Sequence, residues 1–170
     1  GNAQVYGGAR VSGDARVYGD AEVYGNARVY GGARVSGDAR VYGDAQVYGN
    51  ARVYGGAQVS GNAQVYGNAR VSGNARVSGY ARVSGDARVD GGAWVESPVQ
   101  MQCGRWTACL TAPGVVAIGC QSRPLSEWTD DEVDRVANEH GATDYEVAIF
   151  RAFLVIAHDV DASGVGRCEP

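Results

Sequence analysis

The chain contains no lysine, a single methionine and two histidines. All fifteen of its basic side chains are therefore arginines. No segment approaches the roughly eighteen consecutive apolar residues that a membrane-spanning helix requires, so no membrane partner is expected. The first 96 residues hold no histidine and no cysteine. That removes the usual general base and the usual zinc ligands from more than half the chain. The same stretch has no threonine, which argues against an ice-binding plane. All four cysteines, Cys103, Cys109, Cys120 and Cys168, come later. With no secretory signal visible, they read as reduced, mostly buried thiols of a cytoplasmic protein. There is no C-x-x-C pair to nucleate a metal site. A strong basic excess is also missing. Residues 1–96 carry ten Arg against eight acidic residues, and the remainder five Arg against eleven. The result is a slightly basic first part, an acidic second part and a net charge of −4. A nucleic-acid partner is thus conceivable but not favoured.

What is present is a six-residue repeat, Gly-(Asp/Asn/Gly)-Ala-x-Val-(Tyr/Ser), running sixteen times from Gly1 to Glu96 without an insertion. A fixed period this short marks a repeat architecture rather than a packed globule. Ala and Val stand two apart, so an extended strand points both to one side. The residues between and after them point to the other side. Gly followed by Asp, Asn or Gly supplies the corner, since these residues tolerate the turn conformations a corner needs. Strand and corner alternate with no room for a helix, which predicts a coiled parallel β-helix with an Ala/Val interior.

The unit V-x-G-(D/N)-A-x resembles the hexapeptide repeat of the left-handed β-helix superfamily. That resemblance implies three hexads per triangular coil of eighteen residues, hence about five coils over residues 1–96. Shafts of this superfamily often assemble as trimers, and open coil ends favour a cap and an oligomer. The best-known enzymes on the solenoid are acyltransferases with a His base and γ-class carbonic anhydrases with three His on zinc. Both lose their central residue here, so the chain is expected to be non-enzymatic and to need no cofactor. An acyltransferase would require a base from the second part of the chain.

Set out in threes, the residues between Ala and Val form three columns. The first is Gln4, Glu22, Arg40, Gln58, Arg76 and Trp94, and the second Arg10, Arg28, Gln46, Gln64 and Arg82. The third is unbroken arginine: Arg16, Arg34, Arg52, Arg70 and Arg88. Five guanidinium groups rising at about 4.8 Å per rung suit an anionic ligand, since Arg binds phosphate bidentately. Tyr18 and Tyr54 stand beside them and can stack on rings. The first alternative is a solvated stripe that keeps the shaft soluble, and the last a protein-interface stripe. The other tyrosines, such as Tyr30, Tyr48 and Tyr66, fall into outward columns that are either cross-strand ladders or contacts between shafts. Residues 1–24 and 25–48 are identical except at Gln4/Arg28 and Glu22/Gln46. That unit is four hexads long, indifferent to a three-hexad coil.

Residues 97–170 form a second domain, expected to be a small α+β module that caps or oligomerises. Val99–Cys103, Trp106–Thr111 and Val115–Cys120 read as three short strands. Thr129-Asp-Asp-Glu132 and Thr143-Asp-Tyr-Glu146 are capping-box signals for two helices, the first ending at Gly141 and the second near His158. Ile149, Phe153, Ile156 and Val160 make an apolar stripe on the second helix, and Ala148, Phe150, Ala152, Leu154 and Val155 widen it nearly all round, so this helix is expected to be buried. His140 reads as a complement to a helix end rather than a base. The runs W-T-A-C-L-T-A-P-G-V-V-A-I-G-C-Q and L-S-E-W-T-D-D-E-V resemble the tail module of uncharacterised hexapeptide-repeat proteins of bacteriophages and prophages. That likeness implies a phage-encoded protein of the host cytoplasm. The expected role is a binding protein that sequesters an anionic small molecule, such as a nucleotide, or blocks a host defence protein. The alternative is a structural spacer or virion component.

Overall fold

A computed structural model describes residues 1–94, 96–103 and 105–163, with Cys103 described by its backbone only. The chain divides into two compact units, Gly1–Pro98 and one that begins at Val99.

The first unit is a parallel β-solenoid. Among the described residues it has sixteen two-residue strands, β1 (Gln4–Val5) to β16 (Ala93–Trp94), one for each hexad. Every third strand pairs in parallel, so β1, β4, β7, β10, β13 and β16 make one sheet. Strands β2, β5, β8, β11 and β14 make the second, and β3, β6, β9, β12 and β15 the third. Partners are eighteen residues apart, as in Arg34↔Arg52 and Val35↔Val53. About five coils result.

The interior is the Ala/Val face that the two-residue alternation predicts. From Ala21 to Val89 each of these side chains is fully buried. The first coil is open on its outer rim, where Val5 remains 47% exposed. Corners close because glycine takes positive φ. At Gly49 φ is 68°, and a Cβ there would stand 3.1 Å from the backbone N and O of Gly67 in the next coil. Corner side chains tie rungs together: the Asn26 amide donates to Asp44 at 3.2 Å and the Asn68 amide to Asp86 at 3.0 Å.

The last coil departs from the expected register. Trp94 does not stand in the outward column. Arg76 pairs with Ala93 and Val77 with Trp94, so this coil is one residue short. The positive φ falls on Gly92 (77°), the second glycine of the Gly91-Gly92 pair. Trp94 thereby takes the inward slot that Val95 would have filled, and it is 1% exposed. Its indole N–H donates to the Gly91 carbonyl at 2.9 Å. An indole buries far more apolar area than a valine, and the flexible glycine pair lets the chain slip to gain it.

The second unit is a four-stranded antiparallel sheet in the order β17 (Gln100–Cys103), β18 (Trp106–Ala112), β19 (Val115–Ile118), β20 (Gln121–Pro124). A 3-10 turn at Leu125–Glu127 and two helices follow, α1 (Asp130–His140) and α2 (Asp144–Ser163). Strand β20 was absent from the expected three. Its Gln-Ser-Arg-Pro sequence has no apolar alternation, and its terminal proline suits an edge strand only. Helix α1 starts on Thr129, whose hydroxyl accepts from the Glu132 N–H, and ends on Gly141 at φ 65°. Helix α2 runs to Ser163, beyond the expected end near His158. Its buried face is Glu146, Phe150, Phe153, Leu154 and Ala157. The expected stripe is out of phase. Only Phe153 of that set is buried and Ile156 is 42% exposed; of the residues expected to widen it, Phe150 and Leu154 are buried and Val155 is exposed.

Candidate functional site

The arginine column stands on the third sheet. Arg16, Arg34, Arg52, Arg70 and Arg88 are direct neighbours along it. The backbone fixes that spacing: the Arg34 N–H donates to Ala51 O and the Arg52 N–H to Ala69 O, both at 2.9 Å. Each arginine is flanked on its rung by the outward residues two before and two after it. On the three central rungs these are Gly32 and Ser36, Asn50 and Tyr54, and Asn68 and Ser72. None is acidic. The end rungs carry Asp14 beside Arg16, and Asp86 and Asp90 beside Arg88. Positive charge is thus concentrated on Arg34, Arg52 and Arg70. These three are exposed and form no ion pair among the described residues, whereas Arg40 on the first sheet meets Glu22 at 3.5 Å. Guanidinium groups one rung apart repel by about 0.9 kcal/mol in water, which a bound anion would relieve.

A shallow groove of about 250 Å³ runs over this region, lined by Tyr18, Arg34, Ser36, Arg52, Tyr54 and Arg70. It therefore gathers five of the seven residues singled out from the sequence and leaves Arg16 and Arg88 outside. It also includes Ser36, which the sequence reading passed over. A larger groove of about 580 Å³ lies on the second sheet. Four of its nine lining residues are Asn or Gln, with Arg10, Arg28, Asp44, Gly8 and Tyr80, so its two arginines share the lining with an acid.

The tyrosine columns explain the groove's shape. Tyr6, Tyr24 and Tyr42 stack with centroids 5.0 Å apart and planes within 4°. Tyr30, Tyr48 and Tyr66 do the same at 4.9 and 5.0 Å. These columns are cross-strand ladders, and mutual shielding leaves Tyr24, Tyr42, Tyr30, Tyr48 and Tyr66 half-buried, while Tyr6 on the open first coil keeps 47% of its surface exposed. Burial, followed by the neighbouring phenols, raises the pKa of each middle ring, Tyr24 and Tyr48. The third column alternates instead: Tyr18, Ser36, Tyr54, Ser72, Asp90. Tyr18 and Tyr54 consequently keep 50% and 39% of their surface exposed.

The second unit offers less chemistry. Cys109 is buried, but Cys120 is exposed at the turn after β19, contrary to the expectation of buried thiols. Cys168 and the Cys103 side chain lie outside the described residues. His140 sits at the α1 C-terminus with its ring edge-on to Trp106 at 6.1 Å. Arg105 donates to the last carbonyls there, His140 O at 3.1 Å and Gly141 O at 2.8 Å. The buried carboxylate of Glu146 closes the cap of α2, accepting from the Thr143 N–H at 2.8 Å and its hydroxyl at 3.0 Å. Those bonds, the backbone one foremost, hold its pKa below the usual carboxylate range. Glu132 is likewise lowered, first by its hydrogen bond from Arg135 and then by the nearby charge of Arg123.

Fold and groove together define a β-solenoid repeat protein with an unbroken arginine column along its third sheet. The chain matches the family described as YdcK beta solenoid repeat at residues 3–19, 9–22, 21–37, 33–45, 45–61, 63–79 and 81–97. These matches cover more than half of its length, and the chain belongs to that family. No curated protein and no solved structure matches it. The family assignment stops at the end of the solenoid and does not extend to the sheet and helices beyond.

Proposed function

We propose that the solenoid is a non-enzymatic binding shaft whose third face takes up an anionic ligand. The observation that supports this reading is the run of Arg34, Arg52 and Arg70 on consecutive rungs, without an acid on those rungs, along one groove. A multiply charged phosphate matches it: spaced guanidinium groups donate bidentately to successive oxygens, and binding removes the repulsion between them. The sequence likeness of the Trp106–Gln121 and Leu125–Val133 runs to phage-encoded modules favours a use in the host cytoplasm. There the shaft would sequester a nucleotide or block a defence protein. That assignment rests on the likeness alone, as does assembly into trimers. The test is titration calorimetry with inorganic triphosphate at low salt. Wild type should bind, and R34E/R52E/R70E should lose at least tenfold in affinity, since reversal replaces three attractions with three repulsions. Unchanged affinity in the triple variant would sink the reading.

The family's fold supports a second reading, a purely structural spacer. It predicts no binding of any anion by wild type.

A further inference from the structure

The alternation along the third column carries a more specific inference, one that rests on the anion-binding reading. In the other two columns, three consecutive rungs bear tyrosine, and each middle ring lies about 5.0 Å from both neighbours. In the third column serine replaces the middle tyrosine, so Tyr18 and Tyr54 stand two rungs apart, about 10 Å by the strand spacing. The space above Ser36 is therefore the volume of one missing ring, walled by two half-exposed phenols. The Ser36 hydroxyl forms no hydrogen bond among the described residues and lies on the groove floor, available to the edge of a ring. The neighbouring gap is different. Ser72 is buried and donates to Asp90, which closes that space and places a carboxylate beside it. Only the Ser36 gap is both open and bordered by Arg34, Arg52 and Arg70.

We infer that this gap is a slot for one planar aromatic ring, and that the adjoining arginines hold the ring's phosphates. The ligand class is a nucleotide: base between Tyr18 and Tyr54, phosphates along the rungs toward Arg70. Stacking is tolerant of base identity because every base offers a π-face, so the slot selects for the presence of a ring rather than a sequence.

The experiment compares ATP, inorganic triphosphate and a single-stranded dT12 oligonucleotide on the whole protein by calorimetry. Wild type should bind ATP roughly tenfold or more tighter than triphosphate, the margin that one base on aromatic faces supplies. S36Y completes the column as in the two natural ladders, and it should reduce ATP to the affinity of triphosphate. Thermal melting reports whether S36Y folds. If it does not, Y18A/Y54A, which removes the walls, should abolish the same preference. Equal affinity for ATP and triphosphate in wild type would overturn the slot while leaving the arginine site intact. Absence of binding by either would overturn both. Affinity for dT12 far above that for ATP would overturn the mononucleotide assignment in favour of a polynucleotide track.

Discussion

One aromatic side chain stands in the interior of the solenoid among the described residues. Trp94 occupies the place of a valine and fills the end of a core otherwise made of alanine and valine. W94A should cost about 3–5 kcal/mol of solenoid stability, measured by denaturant unfolding, because a buried indole is lost and the surrounding Val and Ala cannot collapse into the space. A change below about 1 kcal/mol would mean that the indole is not sealing the core. Strict counting by six put this residue outside, since periodicity alone assigns every fourth position of a hexad outward. The Gly-Gly pairs at 7–8, 31–32 and 55–56 keep their register, so the pair at 91–92 permits the slip without announcing it; the signal was Trp94, the one aromatic residue at a fourth hexad position. Ser36 was legible in the same way. Aligning the sixth hexad position by coil, as was done for the fourth, sets Ser36 between Tyr18 and Tyr54. What the sequence could not supply was depth: that Ser36 opens a groove while Ser72 is tied to Asp90 and buried.

At the scale of elements, caps were easier to read than faces. Both Thr-x-x-Glu signals start helices because they are local, needing only one side chain and nearby N–H groups. The buried face of α2 was not legible because between Val147 and Ala157 every position but Arg151 is apolar; tertiary packing chose Phe150, Phe153, Leu154 and Ala157. Strand β20 escaped because its neighbour, not its own composition, makes it a strand. The reciprocal cap at Thr143 and Glu146 has a pH signature. Glu146 has a folded pKa below its unfolded one, so its contribution is complete above the ordinary carboxylate pKa of about 4.3 and fades as pH falls through the lowered folded value. Wild type should therefore lose stability on acidification over that window more steeply than E146Q, followed by thermal melting of the helical signal. Parallel acid profiles for the two proteins would show that the carboxylate is not coupled to folding. T143A should cost about 1 kcal/mol at neutral pH through loss of the cap.

For the whole molecule, the three sheets are chemically distinct although one hexad builds them all. The first mixes acid and base, the second is rich in amides, and the third is cationic at its centre. The trimer proposed from the superfamily likeness would use faces other than the third if the arginine groove is to stay open. Native mass spectrometry of gently purified protein is expected to give three chains, with added ligand mass that disappears after denaturation and refolding. A monomer would remove the trimer proposal, and a clean trimer would shift weight to the structural reading. The solenoid itself was almost fully legible, because alternation by two and repetition by six leave a chain few other choices. What each face presents depends on which rungs fall next to one another, which the three-hexad coil sets.

That dependence gives the shaft something like a reading frame. A coil is three hexads and any hexad can occupy any face, so adding or removing one hexad leaves the coil intact. It nevertheless carries every later residue round to the next face. The four-hexad duplication of residues 1–24 and 25–48 is such a frame-changing event: it sends Gln4 of one copy to a different face from Arg28 of the next. Loss of the hexad at residues 43–48 would carry Arg52, Arg70 and Arg88 to the face of Arg10 and Arg28, where an arginine column forms anew, but it would part Tyr54 from Tyr18 and Ser36. Changes in multiples of three hexads preserve the alignment. In a protein built this way the solenoid tolerates most edits to its length, while a slot that combines particular rungs survives only those that keep the frame.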